Sequence, residues 1–587
     1  MGVKQLRQFS ERVLNHRPTW RSIAFWFGLS CALAILYGLW VWQQAFSAEF
    51  VIQDDARQHV FWMQRFLDRS LFPQDLIADY FQSVAPIGYT WLYQMAAGLG
   101  IHPLLMSKLL PMVLGLLTTI ACFGVVLQFF PIPAAAFVAS LLLNQVLWMQ
   151  DDLVSATPRA FIYPLFVSFC YFLLRRSLVP CVGLILLQGW FYPQSVFLSS
   201  GLLLVQVIQW QGGRPRLSRS SDDYWFCGIG LVAAVAVMLP YALEISEFGP
   251  VITRMEAQQM PEFQRGGRSD FFTENAWKFW VEGLRSGLLP YISRLPELLY
   301  VAFLLPVMLR FRRVFPLTRY LQPAIILIPQ LLAVSLFWFL VAHVLLFRLH
   351  LPSRYTQHSL RLILCWAAGL AIVIGLDGLR RWAIRTGNRA KGVTAKGVTI
   401  TIFGLVAAAL LFYPSYTPEF PRTGYFVGTQ PDLYAFLSRQ PTQTLVASLS
   451  EEANNLPSFT QRSVFVAQEY AIPYHMGYYR PFQQRAIDLI EAQYSPNLPK
   501  LKRFIRATGS DFWLLDRDAF TPEYVKKSWF RQYPQAAQPA ERSLRAGRRP
   551  ALAQMIRPCA VAQNSEFILL DAACILDQPN QRQPSQP

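Results

Sequence analysis

Charge is scarce in this sequence, and acidic charge scarcest: 15% of the 587 residues are Asp, Glu, Lys or Arg, and 35 acids stand against 53 bases. With 53% hydrophobic residues and a mean hydropathy of +0.28, the chain is too apolar for a soluble multidomain protein and too long for one soluble core. That leaves a polytopic membrane protein. No Cys/His spacing of the zinc type occurs, and Arg265-Gly266-Gly267-Arg268 has neither the lysine nor the following strand and helix of a phosphate-binding loop, so it reads as a flexible turn. A net charge of +18 raises the question of nucleic acid. The Lys and Arg residues fall largely in short tracts between apolar runs, however, which is topology signalling and sets that partner aside. Cys31, Cys122, Cys170, Cys181, Cys227 and Cys365 lie in or beside apolar runs as small hydrophobes, whereas Cys559 and Cys574 share the polar C-terminal part, where a disulfide requires an oxidising compartment.

What the chain does have is a succession of apolar runs. The first, Trp20 to Trp42, follows Lys4, Arg7, Arg12, Arg17 and Arg21, which predicts an uncleaved anchor with a cytoplasmic N-terminus. Phe61 to Phe81 mixes aromatics with Arg65, Asp68 and Arg69 and predicts an interfacial helix. Ala85 to Gly100 is apolar but short for crossing about 30 Å of hydrocarbon. Treated as re-entrant or interfacial, it leaves later spans over 103 to 128, 133 to 150, 158 to 174, 179 to 192, 194 to 210, 224 to 243, 294 to 310, 322 to 349, 359 to 378 and 398 to 413. With the first run, this predicts a helical bundle of about 11 spans. The basic clusters Arg175-Arg176, Arg214/Arg216/Arg219, Arg310/Arg312/Arg313/Arg319 and Arg380 to Lys396 then share the side of the N-terminus, and counting 85 to 100 as a span would put them all outside.

On the outer face this topology leaves Glu49 to His59, Asp151-Asp152 with Arg159, the loop from 244 to 293, and Leu351 to Arg361. Phe271 to Leu289 reads there as an amphipathic helix on the bilayer. From Pro414 the composition turns polar, with helices alternating with short strands, which predicts a small outer-face α/β domain over 414–587 in an accessory role beside a transmembrane domain over 1–413. Arg542 to Arg549 and the Gln/Pro-rich tail after Gln578 read as disordered.

Carboxylates and a histidine beside a membrane boundary suggest function. Transferring a sugar from a lipid phosphate needs a base for the acceptor proton and cations for the leaving phosphate. Asp54 and Asp55 are adjacent and on a helix diverge by about 100°, so one acts while the other caps or positions. Asp55 is favoured because Gln58 and His59 lie one turn on, and Glu49 is the alternative. Asp151 and Asp152 supply either a second carboxylate or metal ligand, or a helix cap. Arg159, and Arg354 with His358 four residues on, are candidate phosphate clamps, against the reading of snorkelling interface residues.

The pattern resembles the GT-C superfamily of membrane glycosyltransferases that use polyprenyl-phosphate-linked sugars, in particular the dolichyl-phosphate-mannose and aminoarabinose transferase-like branch. It is carried by the N-in first span, the acids just outside it (Glu49, Asp54, Asp55), the juxtamembrane helices, Asp151-Asp152 to Arg159, and the outer C-terminal domain, and it covers the spans and first loop. The resemblance implies a catalytic base at Asp54 or Asp55, lipid-phosphate binding by Arg159, Arg354 or His358, and a lipid, glycan or protein acceptor at the outer face of the cell membrane. The first loop lacks a DxD spacing, which leaves a divalent metal open, and no oligosaccharyltransferase-type acceptor motif is present. The alternative, a transporter or flippase, calls for ionisable groups near the bilayer midplane and internal repeats. Here the prominent acids lie at span ends.

Overall fold

The computed structural model describes residues 18–211, 214–243, 246–290, 295–386 and 392–579. Lys4, Arg7, Arg12, Arg17, Arg389, Lys391 and the tail from Asn580 lie outside them. The fold is mainly helical. Among the described residues five helices are long and apolar enough to cross a membrane: Trp20–Ala45, Pro103–Phe129, Ser221–Leu243, Pro323–Val344 and Pro352–Thr386. Five shorter apolar helices, Pro133–Leu147, Pro158–Leu174, Leu178–Phe191, Gln194–Gln206 and Gly397–Leu411, fall where further spans are expected. Of the run 294 to 310, residue 294 lies outside the described residues, and the rest holds a tight 3-10 segment, Glu297–Leu304, continuing into Leu305–Arg310. Ile87–Gly98 is a helix of 12 residues, about 18 Å by the rise of an α-helix.

Small residues bring the bundle together. A Cβ on Gly369 would lie 2.6 Å from that of Ala139 and 2.9 Å from the Ala135 carbonyl, so Gln357–Thr386 and Pro133–Leu147 touch backbone to backbone. This is the close approach that glycine permits between helices in lipid.

Two strands tie the ends of the chain together. β1 (Val51–Gln53) precedes a hairpin of β2 (Ile208–Gln211) and β3 (Arg214–Leu217), and β4 (Tyr425–Val427) returns to pair antiparallel with β1, with Ile52 opposite Phe426. Beyond it, β5 (Leu445–Ser448), β6 (Ser463–Val464), β7 (Phe512–Asp516), β8 (Ala560–Gln563) and β9 (Phe567–Asp571) form a five-stranded sheet in the order β6-β5-β7-β9-β8. β5 is parallel to β6 and β7, while β9 is antiparallel to β7. Cys559 and Cys574 form a disulfide at its edge.

Three segments differ from expectation. Phe61 to Phe81 is two short helices, Phe61–Phe66 and Leu76–Ser83, around a turn in which Phe72 and Gln74 take positive φ beside Pro73. Phe61, Trp62 and Met63 are buried in protein, and Gln64 bonds to the Pro457 carbonyl, so this face meets the C-terminal part and not lipid. Phe271 to Leu289 contains only a wide helical turn, Lys278–Glu282, because Gly283 and Gly287 admit a tight return in which the Leu288 and Leu289 amides bond back to Trp280 and Val281. Arg542 to Arg545 ends an ordered helix, Pro534–Arg545, whose Ala536, Ala537 and Ala540 are buried. Its arginines include the solvent side of that helix, where Arg545 pairs with Glu541 at 2.7 Å.

Candidate active site

The first loop leaves the long N-terminal helix, runs through β1, and turns into a four-residue helix, Ala56–His59. Gln53 makes that turn: its side-chain oxygen accepts from the amides of Asp55 (2.8 Å) and Ala56 (3.3 Å), and its side-chain amide donates to the Thr423 carbonyl. The Asp54 amide donates to the Gly424 carbonyl at 3.0 Å. Gly424 has a φ of +63°, a backbone shape that suits glycine. The two aspartates are thus fixed by backbone from the other end of the chain, and they diverge.

Asp55 forms an ion pair with Arg159. The same guanidinium lies 3.1 Å from Asp152 through Nη1 and 4.0 Å from Asp151 through Nη2. Asp152 is buried, with Arg361 at 2.6 Å and His358 at 3.6 Å. The Tyr163 hydroxyl joins His358 Nδ1 (3.0 Å) and Arg361 (2.9 Å), and Gln150 accepts from Arg361 at 3.3 Å. Three segments far apart in sequence, around 55, 150–163 and 354–361, therefore build one charged cluster. Asp152 is in this cluster and not a helix cap: the short helix Asp151–Val154 is capped by Gln150 with no side-chain bond.

Electrostatics separate the first-loop acids. Burial favours the neutral form of Asp55, but Arg159 and His59 outweigh it and hold the carboxyl below its ordinary value. Asp54 is pushed up by burial and by Glu469, only partly offset by Arg57. Environments that drive two neighbouring carboxyls apart assign them different tasks. Asp152 is also held low, its burial outweighed by His358 and the arginines around it. Burial lowers His59 to about 4, so the ring is neutral near pH 7.

Arg354 lies within electrostatic reach of Arg159, Tyr192, Asp152 and Asp151. It lies in a 3-10 turn, Pro352–Tyr355, ahead of the helix that begins at Gln357, so it does not share a helical face with His358 as expected. Five buried polar atoms here have no protein partner: Gln150 Nε2, the Tyr192 hydroxyl, Arg354 Nε, His358 Nε2 and Arg361 Nε. Buried donors are rarely left so without a ligand or water to meet them. Glu49, by contrast, is exposed and outside the cluster, and the Gln58 side chain donates to Glu469 while only its backbone amide meets the Asp55 carbonyl.

Sequence reasoning missed Arg361, one turn beyond His358, although the spacing was there to read. It also missed Glu469, which meets Arg57 at 3.4 Å, Arg268 at 2.5 Å, and Gln58. Arg57 in turn pairs with Asp54 and bonds Asn455 at 3.1 Å. No local pattern marks Glu469, because its partners come from distant parts of the chain, Arg57 and Gln58 from the first loop and Arg268 from the long loop before residue 293.

No family model matches the sequence, and no curated protein matches it. Solved structures do. The oligosaccharyltransferase of Archaeoglobus fulgidus, tethered with an acceptor peptide containing the NVT sequon, superposes with a TM-score of 0.50 at 12% identity, over 88% of this chain and 72% of that one. ArnT from Cupriavidus metallidurans bound to undecaprenyl phosphate matches at 13% identity and a TM-score of 0.38, over 95% and 99% of the two chains. Arabinofuranosyltransferase AftD from Mycobacteria matches at 13% identity and 0.45, over 84% of this chain and 35% of that one. At 12% identity the likeness to the first is one of fold, and it agrees with the architecture expected from the sequence.

Proposed function

We propose that this chain transfers a sugar from a polyprenyl-phosphate-linked donor to a lipid, glycan or protein acceptor at the outer face of the membrane. The observation that carries the reading is the Asp55–Arg159–Asp152 cluster, which gathers an ionised first-loop carboxylate and phosphate-binding cations from distant segments. Asp55 takes the acceptor proton as the bond to the sugar forms. Arg159 and Arg354, with His358 beside them, hold the phosphate that leaves; guanidiniums suit this because they offer several donors in a planar fork. Arg159 weakens Asp55 as a base while the site is empty. An arriving phosphate binds the guanidinium's other donors and shares its charge, which raises the basicity of Asp55 while the ion pair stays in place.

The topology that suits this reaction has about 11 spans, a cytoplasmic N-terminus and residues 414–587 as an extracytoplasmic domain. The Cys559–Cys574 disulfide supports that sidedness, since disulfides persist in oxidising compartments. The experiment is to incubate the purified protein with radiolabelled polyprenyl-phosphate sugars and membranes and to look for a labelled acceptor. Flux of substrate across liposomes without transfer favours a transporter instead.

A further inference from the structure

A divalent cation is the obvious candidate for neutralising carboxylates at such a site, and the side chains present do not fit one. The space a cation would need between Asp55, Asp151 and Asp152 is filled by the Arg159 guanidinium, with Asp55 and Asp151 on Nη2 and Asp152 on Nη1. The fork holds the acids on different edges, and among the described residues no group of three or more His, Cys, Asp or Glu side chains converges as a metal cage. Charge gives the same answer. The three carboxylates (Asp55, Asp151, Asp152) already meet two guanidiniums, Arg159 between them and Arg361 at 2.6 Å from Asp152. A divalent ion would add two charges beside guanidiniums that already occupy these carboxylates, and would repel them.

We infer that Arg159 stands where a divalent cation would otherwise sit, as a built-in cation that holds Asp55 and Asp152 in place, and that the reaction centre works without a bound metal. A guanidinium can do so because it is always charged and has five donors, enough to keep its carboxylates while binding a phosphate oxygen. The inference deepens the proposed reaction, but its test does not depend on that reaction, because metal binding is measured without substrate.

The test is a titration of the purified full-length protein with Mn2+, read by the electron paramagnetic resonance of the free ion, alongside metal analysis of the protein as purified. The expected result is no stoichiometric metal and no tight Mn2+ site in the wild type, and a new site of one Mn2+ per chain in Arg159→Ala that is lost again in Arg159→Ala/Asp152→Asn. One tightly bound metal per wild-type chain overturns the inference. So does a folded Arg159→Ala protein that gains no site, because the carboxylates would then not surround a cation position. If Arg159→Ala fails to fold, Arg159→Gln replaces it, and the wild-type measurement stands by itself. Under the proposed reaction, turnover in excess EDTA equals turnover without it; a loss restored by Mn2+ also overturns the inference.

Discussion

Asp151 and Asp152 are chemically identical neighbours, and the structure gives them very different weights. Asp152 is buried and meets Arg361 at 2.6 Å and Arg159 at 3.1 Å, while the Asp151 side chain is half exposed and 4.0 Å from Arg159. Asp152→Asn keeps the shape but removes the charge, leaving Arg361 buried with only Tyr163 and Gln150 as neutral partners. Stripping one partner from a buried pair costs about 3–5 kcal/mol, because the other charge is left unmatched. Asp151→Asn loses a partly solvated contact worth about 0–1 kcal/mol. The assay is unfolding of each purified variant in detergent, with Arg361→Met and the Asp152→Asn/Arg361→Met double variant completing a cycle. The double variant should recover part of the loss, since replacing both ions removes the unmatched charge. Equal costs at 151 and 152, or additivity in the cycle, would refute the reasoning.

Further outcomes follow from the same contacts. His59 is lowered from 6.5 to about 4, so between those values the unfolded chain binds the extra proton; stability is lost as pH falls through that window, by up to about 3 kcal/mol, and His59→Gln should flatten the dependence in melts taken across pH 4 to 7. Glu469→Gln weakens the charged bonds to Arg57 and Arg268, costs about 2 kcal/mol, and lowers transfer at temperatures where the fold is intact, because it loosens the loop that carries Asp55. Replacing Cys559 and Cys574 with Ser opens a crosslink of sequence separation 15 and should cost about 3 kcal/mol in unfolding measurements, with a matching effect of reductant on the wild type.

Much of the site was legible because charge is expensive in an apolar chain. Once the basic loops were assigned to one side, Asp55, Asp151, Asp152, Arg159, Arg354 and His358 were left on the other, and the structure brings them together. The exception is Glu49, which belongs to the same stretch but lies before β1, where the chain is still at the surface. What remained hidden depends on pairing over hundreds of residues. Gln53 looks like any polar loop residue until Thr423 and Gly424 lie beside it, and Glu469 until Arg57, Gln58 and Arg268 converge on it. The same pairing joins the C-terminal part to the first loop. That part supplies β4 and Glu469, so it shapes the loop that holds the proposed base. Periodicity misled at Phe61 to Phe81 and Phe271 to Leu289, since an aromatic-rich amphipathic pattern does not distinguish a lipid surface from a neighbouring protein face, and Pro73, Gly283 and Gly287 interrupt the helices.

The central claim is that Asp55 is the base of a lipid-linked sugar transfer while Asp54 is a structural partner of Arg57. Single-turnover transfer by folded Asp55→Asn and Asp54→Asn, measured with a labelled polyprenyl-phosphate sugar, tests it most directly. The account predicts a loss of about 10²–10⁴-fold for Asp55→Asn, with donor binding retained, and a far smaller loss for Asp54→Asn. Full activity in Asp55→Asn, or a greater loss in Asp54→Asn, would contradict it.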